Sequence, residues 1–268
     1  PVKFDPVKWA KAAKNAGMKY VVFTTKHHDG FCMFDTRYTD YKITGKDCAF
    51  NTNPKADVTK EIFNAFRNEG MWVGAYFSKP DWHSSDFWWP QFPPKDRNVN
   101  YDPAVYPERW NSFVNYTHSQ VMELCTNYGK VDLFWFDGGW VQKKEVKGET
   151  PDIPGFIVKK PYNMDIKMDE LVEKIREKQP DAIVVDRAVA GKNQNYLTPE
   201  NTVPERMLPY PWESCMILGG GWSYSFNARM MPTRKVIHML SDIVAKGGNL
   251  LLNIGPGPDG TLYDEAYI

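Results

Sequence analysis

The sequence predicts an α/β fold, a (β/α)8-like TIM barrel that forms one catalytic domain over residues 1–268. Two observations carry this prediction. An amphipathic helix, a glycine and an apolar strand follow one another repeatedly, which is the order of a parallel sheet with helical crossovers. The strands are apolar at successive positions, which is typical of strands covered on both faces. Five such units and a sixth strand favour a barrel over an open sheet.

The first two units are marked by helix caps. Asp5 and Pro6 supply an N-cap and a first-turn proline, so the first helix is predicted to begin there. A strand over residues 19–25 follows it. Asp57 marks the start of the second helix, which precedes a strand over residues 71–78.

The later units follow the same order. The third helix is predicted to begin near Asp102 and to precede a strand over residues 131–137. The remaining predicted elements are a helix over 167–178, strands over 182–186 and 212–217, a helix over 232–246 and a strand over 249–255. A complete barrel needs eight strands. We therefore expect at least one further strand before Pro1.

The composition argues against several classes of protein. Lys plus Arg and Asp plus Glu both number 33, so the formal net charge is zero and nothing indicates a nucleic-acid partner. No apolar stretch is long enough to predict a membrane span. The cysteines lack the CxxC spacing of zinc ribbons, and no cofactor is predicted. The four cysteines are Cys32, Cys48, Cys125 and Cys215.

Polar side chains with useful chemistry follow the predicted strands. The carboxyl ends of barrel strands form the active site in enzymes with this architecture. The side chains expected at that end are His27 and His28 after the first strand, Tyr76 within and Trp82 after the second, Asp137 at the end of the third, Arg187 after the fourth and Asn253 in the last.

Asp137 is the most informative of these residues. It ends a strongly apolar strand, and on a two-residue period it shares one face with Leu133 and Trp135. A carboxylate rising from an aromatic floor is placed to attack an electrophilic carbon. The alternative is an aspartate that starts a turn before Gly138 and Gly139. The barrel context favours the catalytic interpretation.

A sugar hydrolase requires a second carboxyl group across the scissile bond. The segment over residues 195–215 contains three glutamates, four prolines and several aromatic residues, and it is expected to hang over the mouth of the barrel. Its glutamates are Glu200, Glu205 and Glu213. At least one of them must be an ordinary exposed charge.

The adjacent histidines, His27 and His28, permit two interpretations. They could bind a metal, with His83 and Asp137 completing the ligand set of a metal-dependent hydrolase. They could instead form hydrogen bonds to different hydroxyl groups of a polyhydroxylated ligand. They lack the i, i+2 or i, i+4 spacing that commonly brings two histidines of one element to one metal, which favours the second interpretation.

Six motifs, most of them at a predicted strand end, resemble alpha-L-fucosidases of glycoside hydrolase family twenty-nine. They are YVVFTTKHHDGF at 20–31, YFSKPDWH at 76–83, LFWFDGGW at 133–140, VVDR at 184–187, WESC at 212–215 and GGNLLLNIGPGPDG at 247–260. The resemblance runs from about residue 19 to the C-terminus. Each motif is a modest signal, but their order makes the resemblance specific.

The resemblance implies a retaining exo-glycosidase that removes terminal alpha-linked L-fucose from fucosylated oligosaccharides or glycoconjugates. By position, Asp137 corresponds to the nucleophile and Glu200 to the acid/base, with Glu213 and then Glu205 as alternatives. The residues expected to bind the sugar are His27, His28, Tyr76, Trp82, Trp135, Arg187, Glu213 and Trp222.

The resemblance also carries expectations about the whole protein. Family members have an earlier sugar-binding segment and usually a C-terminal β-sandwich, both of which this chain is expected to lack. By analogy the enzyme is expected to be secreted, periplasmic or lysosomal. An exo-glycosidase of altered sugar specificity, resembling alpha-galactosidases, stays open as an alternative. So do the metal-dependent hydrolase and a carbohydrate-binding protein with an inactive site.

Overall fold

The computed structural model describes residues 1–144 and 162–267. Its helices and strands alternate along most of the chain. In order they are α1 (Pro6–Asn15), β1 (Tyr20–Lys26), α2 (Val58–Asn68), β2 (Trp72–Ser78), α3 (Pro107–Asn127), β3 (Leu133–Asp137), α4 (Met168–Lys178), β4 (Ile183–Asp186), β5 (Glu213–Ile217), α5 (Thr233–Ala245), β6 (Asn249–Asn253) and a 3-10 turn (Asp264–Tyr267).

All six predicted strands are present and parallel to their neighbours. Strands β1 to β4 form one sheet in sequence order, and β5 pairs with β6 in a second. The register places Tyr76 of β2 beside Trp135 of β3. The α/β fold is therefore as predicted. Closure into an eight-stranded barrel stays a prediction, because the described residues form these two sheets.

The helix caps act as the sequence predicts in α1 and α2. The Asp5 and Asp57 side chains accept hydrogen bonds from the backbone amides three residues ahead. The start of α3 was predicted wrongly, because it begins at Pro107 rather than near Asp102. The Asp102 carboxylate and carbonyl instead accept backbone N–H groups of the next residues and close a separate turn.

The main core lies between the four-stranded sheet and its helices. Helix α2 buries one face through Ile62, Phe63 and Phe66, at the spacing of a helical stripe. Every residue of β3 before Asp137 is buried. A fully buried side chain of this size stabilises the fold by about 1.5–3 kcal/mol. The core therefore fixes the strand that carries Asp137.

Strands β1 and β6 are less covered by neighbouring elements than the other strands. Within the described ranges, β1 pairs as a strand with β2 alone and β6 with β5 alone. Residues 250–252 of β6 are only half-buried. Apolar side chains of the flanking helices are exposed, among them Val7, Ile237, Leu240 and Val244. No described helix has both the length and the apolar character required to cross a membrane.

Candidate active site

Asp137 lies at the carboxyl end of β3, and its side chain is 14% exposed. The chain turns sharply after it, because Gly138 adopts a φ of +88°, which favours glycine. A Cβ atom at Gly138 would also overlap the ring of Pro80. The glycine therefore allows β3 to end close to the segment that follows β2, with the carboxylate at the surface of the cleft.

Four groups surround the Asp137 carboxylate. The Tyr76 hydroxyl donates to Oδ2 at 2.7 Å, the Arg187 guanidinium donates to Oδ1 at 3.1 Å, and the backbone N–H of Gly138 donates to Oδ1 at 2.7 Å. His28 Nε2 lies 3.6 Å from Oδ2. Burial alone would raise the pKa of Asp137, but these neighbours, Arg187 above all, hold it below its ordinary value. The carboxylate is therefore ionised at neutral pH.

Aromatic rings form the floor beside this carboxylate. The ring of Tyr76 stacks on Trp135, with centroids 5.3 Å apart, and His27 stacks on the other side of Tyr76 at 5.7 Å. The Arg187 guanidinium lies over Trp135, 5.4 Å from the ring centroid. These residues, which the sequence predicts to lie together, are in contact in the structure. The floor combines apolar faces with hydrogen-bonding groups.

Glu200 is brought to the same guanidinium. Its carboxylate accepts a hydrogen bond from Nη2 of Arg187, while Nη1 of Arg187 donates to Asp137. The Glu200 side chain is 35% exposed and lines the cleft. Glu205, by contrast, is exposed and does not line it. A single arginine therefore bridges two carboxylates, and Glu200 is the glutamate that belongs to this pair.

The two histidines lie on a turn that follows β1. The N–H of Gly30 donates to the carbonyl of His27, and Gly30 has a φ of +83°. A Cβ atom there would overlap the Asp81 carboxylate. His27 is exposed, whereas the His28 side chain is 12% exposed. Burial lowers the pKa of His28 to about 4, with Asp137 opposing the shift, so His28 is neutral at neutral pH.

Two buried lysine–aspartate pairs hold the strand ends beneath the site. Lys26 Nζ at the end of β1 lies 3.2 Å from Asp81 Oδ2, and both side chains are almost fully buried. Lys79 Nζ, just after β2, lies 2.5 Å from Asp186 Oδ1 at the end of β4. Each pair neighbours a candidate residue in sequence, namely His27 or Arg187. The cost of removing both charges of such a pair from water offsets much of their attraction, so the net stability that the pair contributes is small.

Glu213 is placed differently from the expectation. Its buried carboxylate accepts hydrogen bonds from Tyr20 at 2.5 Å, from Trp135 Nε1 at 3.1 Å and from Tyr196 at 3.4 Å. It lies at the first residue of β5, and it does not line the cleft. Burial raises its pKa, although the three donors oppose the rise. The Glu213 carboxylate therefore contacts the indole N–H of Trp135 and lies away from the cleft surface.

The remaining candidates line the cleft. Trp82 follows β2, and its backbone N–H donates to the His28 carbonyl at 2.8 Å. Trp222, in the loop after β5, is 43% exposed. The cleft has a volume of 2880 Å³, which exceeds the roughly 300–1,000 Å³ of a typical ligand site. It continues past the candidate residues along β1 and β6 and the helices α1 and α5.

Several cleft residues are not among the site residues predicted from the sequence. Trp88, Arg97 and Trp140 are three of them. The rings of Trp82 and Trp140 lie 5.3 Å and 5.2 Å from His28. The aromatic segment over residues 86–94 both packs into the core and lines the cleft, since Phe87 is fully buried and Trp88 faces the cleft. The GPGPDG segment at 255–260 forms a loop.

Three of the candidate residues could hold a metal ion. The ligand atoms of His27, His28 and Asp137 lie within 4.8 Å of one another. His83, the fourth ligand of the metal hypothesis, is not part of this cluster and stacks on Tyr41 at 3.9 Å. The Asp137 carboxylate already pairs with Arg187. The positive charge of Arg187 beside the Asp137 carboxylate repels a metal cation at the same place. The donor set therefore fits a metal poorly.

Comparison with known proteins identifies one family. A family model described as Alpha-L-fucosidase matches residues 1–267. Human plasma alpha-L-fucosidase is 26% identical over 268 residues, which cover 97% of this chain and 50% of the human protein. The chain spans about half the length of the curated relatives it matches.

Solved structures of the same family match the fold. Alpha-L-fucosidase isoenzyme 1 from Paenibacillus thiaminolyticus has a TM-score of 0.78 and 36% identity, and the match covers 100% of this chain and 61% of that one. An alpha-L-fucosidase from Bacteroides thetaiotaomicron has a TM-score of 0.75 and 26% identity, covering 100% and 59%. That structure is described as a trapped covalent intermediate with 2-fluoro-fucosyl fluoride, obtained with a Glu-to-Gln variant.

Proposed function

Because the chain belongs to the alpha-L-fucosidase family, we propose that it hydrolyses terminal alpha-linked L-fucose from fucosylated glycans with retention of configuration. The observation that carries this proposal is the pair of carboxylates, Asp137 and Glu200, bridged by the guanidinium of Arg187 at the cleft. A retaining glycosidase needs two carboxyl groups about 5–5.5 Å apart. One guanidinium that reaches both groups supports a separation of this order.

The first step forms a bond to Asp137. Its carboxylate attacks the anomeric carbon of fucose, and the bond from that carbon to the leaving oxygen breaks. Glu200 gives a proton to this oxygen. The low pKa of Asp137 supports the assignment, because it keeps the nucleophile ionised. The covalent intermediate described for the Bacteroides relative also supports it.

The second step releases the sugar. Glu200 takes a proton from water, the water oxygen attacks the anomeric carbon, and Asp137 leaves as a carboxylate. The Glu-to-Gln variant used to trap the relative's intermediate is in keeping with a glutamate in this role.

The neighbouring side chains are assigned to sugar binding. His27 and neutral His28 can each donate and accept a hydrogen bond to a hydroxyl group. Tyr76 donates to the nucleophile, so we propose that it orients Asp137 as well as contacting the sugar. The faces of Trp82, Trp135 and Trp222 offer apolar contact for a deoxy sugar. We assign Glu213 to holding Trp135.

The stereochemical course tests the proposal directly. With an aryl alpha-L-fucoside as substrate, proton NMR during the first minutes is expected to show alpha-L-fucose as the first-formed anomer, since two inversions restore the configuration. The beta anomer would instead indicate direct attack by water. Failure to cleave the fucoside, with turnover of an aryl alpha-galactoside, would favour the altered sugar specificity.

Treatment with EDTA tests the metal alternative. We expect activity to be unchanged after prolonged EDTA treatment and dialysis. The Asp137 carboxylate already forms an ion pair with Arg187, and this positive charge opposes metal binding there. The rate with the aryl fucoside, measured before and after added zinc, checks this. Loss of activity that zinc restores would favour the metal-dependent hydrolase.

We further propose that residues 1–268 act as one catalytic domain. Relatives named as plasma and tissue fucosidases support an enzyme that meets glycans in a secreted or lysosomal setting.

A further inference from the structure

An aromatic row extends along the cleft from the proposed fucose site. Starting from His28, which neighbours Asp137, the rings of Trp82 and then Trp88 lead away from the nucleophile. Trp82 and Trp88 are stacked, with centroids 5.4 Å apart and planes 7° from parallel. Both rings are half-buried and line the cleft. A flat, partly exposed indole face is a surface on which a sugar ring stacks.

Indole N–H groups fix the backbone segment that lies beside this aromatic row. The carbonyl of Arg97 accepts hydrogen bonds from Nε1 of Trp140 at 3.0 Å and from Nε1 of Trp82 at 3.4 Å. The next carbonyl, of Asn98, accepts one from Nε1 of Trp88 at 2.8 Å. Three tryptophans thus fix two consecutive peptide groups. This segment is preorganised, which lowers the entropy cost of binding a ligand.

The fixed segment presents a donor and an acceptor to the cleft. The Arg97 guanidinium lies over the Trp140 ring, 4.9 Å from its centroid, and Arg97 is exposed. The neighbouring Asp96 is also exposed and lines the same cleft. Arg97 and Asp96 carry opposite charges, so together they offer no net charge to a ligand, and a neutral ring with hydroxyl groups can satisfy both side chains. The chemistry therefore suits an uncharged pyranose.

We propose that Trp88, Arg97 and Asp96, with Trp82 as their link to the fucose site, form a subsite for the neutral pyranose that leaves when fucose is removed. This inference rests on the proposed exo-fucosidase activity. In an exo-acting site the fucose fills the inner pocket, so the leaving sugar must lie along the rim. Trp88 stacks on the ring of that sugar, and Arg97 and Asp96 bind its hydroxyl groups.

The test compares two substrates in the full protein. One is alpha-L-fucosyl fluoride, whose leaving group is a single atom that cannot reach the rim. The other is the best-cleaved member of a panel of neutral fucosyl-disaccharides with different linkages. We expect Trp88→Ala and Arg97→Ala each to lower kcat/KM for the disaccharide by about tenfold, as loss of a good anchor does. The value for fucosyl fluoride should stay within about twofold.

Trp72→Ala is the matched control, because it removes an indole that is 56% exposed at the amino end of β2, away from the cleft rim. This variant should leave kcat/KM unchanged for both substrates. Arg97→Lys should recover part of the lost disaccharide activity if hydrogen bonding matters.

The outcomes separate this inference from the function beneath it. Equal losses on both substrates would overturn it, because the residues would then serve the fucose site or the fold. Unchanged disaccharide kinetics would overturn it, as would wild-type turnover of the fluoride with no disaccharide cleaved. Wild-type protein that cleaves neither substrate would refute the proposed function itself.

Discussion

Asp137→Ala is expected to lower turnover of an aryl alpha-L-fucoside by at least about 10³-fold, because no glycosyl–enzyme bond can form without this carboxylate. The loss should appear in kcat for every leaving group. Steady-state rates with a good and a poor leaving group check this. Ordinary activity in the variant would refute the assignment of Asp137 as the nucleophile.

Two controls keep this result interpretable. Removing the carboxylate deprives Arg187 of one partner, so the variant should be examined by thermal unfolding, and Asp137→Asn preserves the shape of the side chain. Added azide should enter the space left by alanine and attack fucose directly. The product should then be the beta-L-fucosyl azide, with inverted configuration, as expected when an external nucleophile replaces an enzymic one.

Glu200→Ala is expected to lower the rate by about 10²–10⁴-fold on substrates with poor leaving groups. The effect should be smaller for an activated aryl fucoside, since such a leaving group needs no proton. Azide should restore part of the activity by attacking the fucosyl–enzyme, which yields the alpha-L-fucosyl azide. Opposite configurations of the azide products from the two variants would therefore assign the two roles separately.

Glu205→Ala is the matched control for this variant. Glu205 lies on the same segment, but it is exposed and outside the cleft, so its loss should change neither rate. If Glu205→Ala or Glu213→Ala showed the dependence on leaving group and the azide rescue, and Glu200→Ala did not, the acid/base assignment would be wrong.

Much of the fold could be predicted because the physical signals are local. Caps at Asp5 and Asp57 define helix starts, and continuous apolar runs define buried parallel strands. The carboxyl ends of parallel strands lie at one edge, so His28, Tyr76, Asp137 and Arg187 were expected together, and their contacts are observed. The start of α3 was missed because Pro107 and Asp102 offer two helix-like starts a few residues apart.

The position of Glu213 away from the cleft has a simple cause. Glu213 is the first residue of its strand and thus lies at the amino end, whereas the site forms at the carboxyl ends. The motif at 212–215 indicates a site role for Glu213, but its position on the strand does not. Arg97 could not be found from periodicity, because it lies in an irregular segment whose shape depends on indole N–H groups distant in sequence, such as that of Trp140.

The two buried lysines that pair with Asp81 and Asp186 allow the assembly of the site to be followed by chemical modification. Lys26 and Lys79 are almost fully buried, so their amines are shielded from acylating reagents while surface lysines react. Modification of these two amines requires the strand ends to separate. Mass-spectrometric footprinting of Lys26 and Lys79 would therefore count the molecules in which this end of the sheet has opened, without any substrate being present.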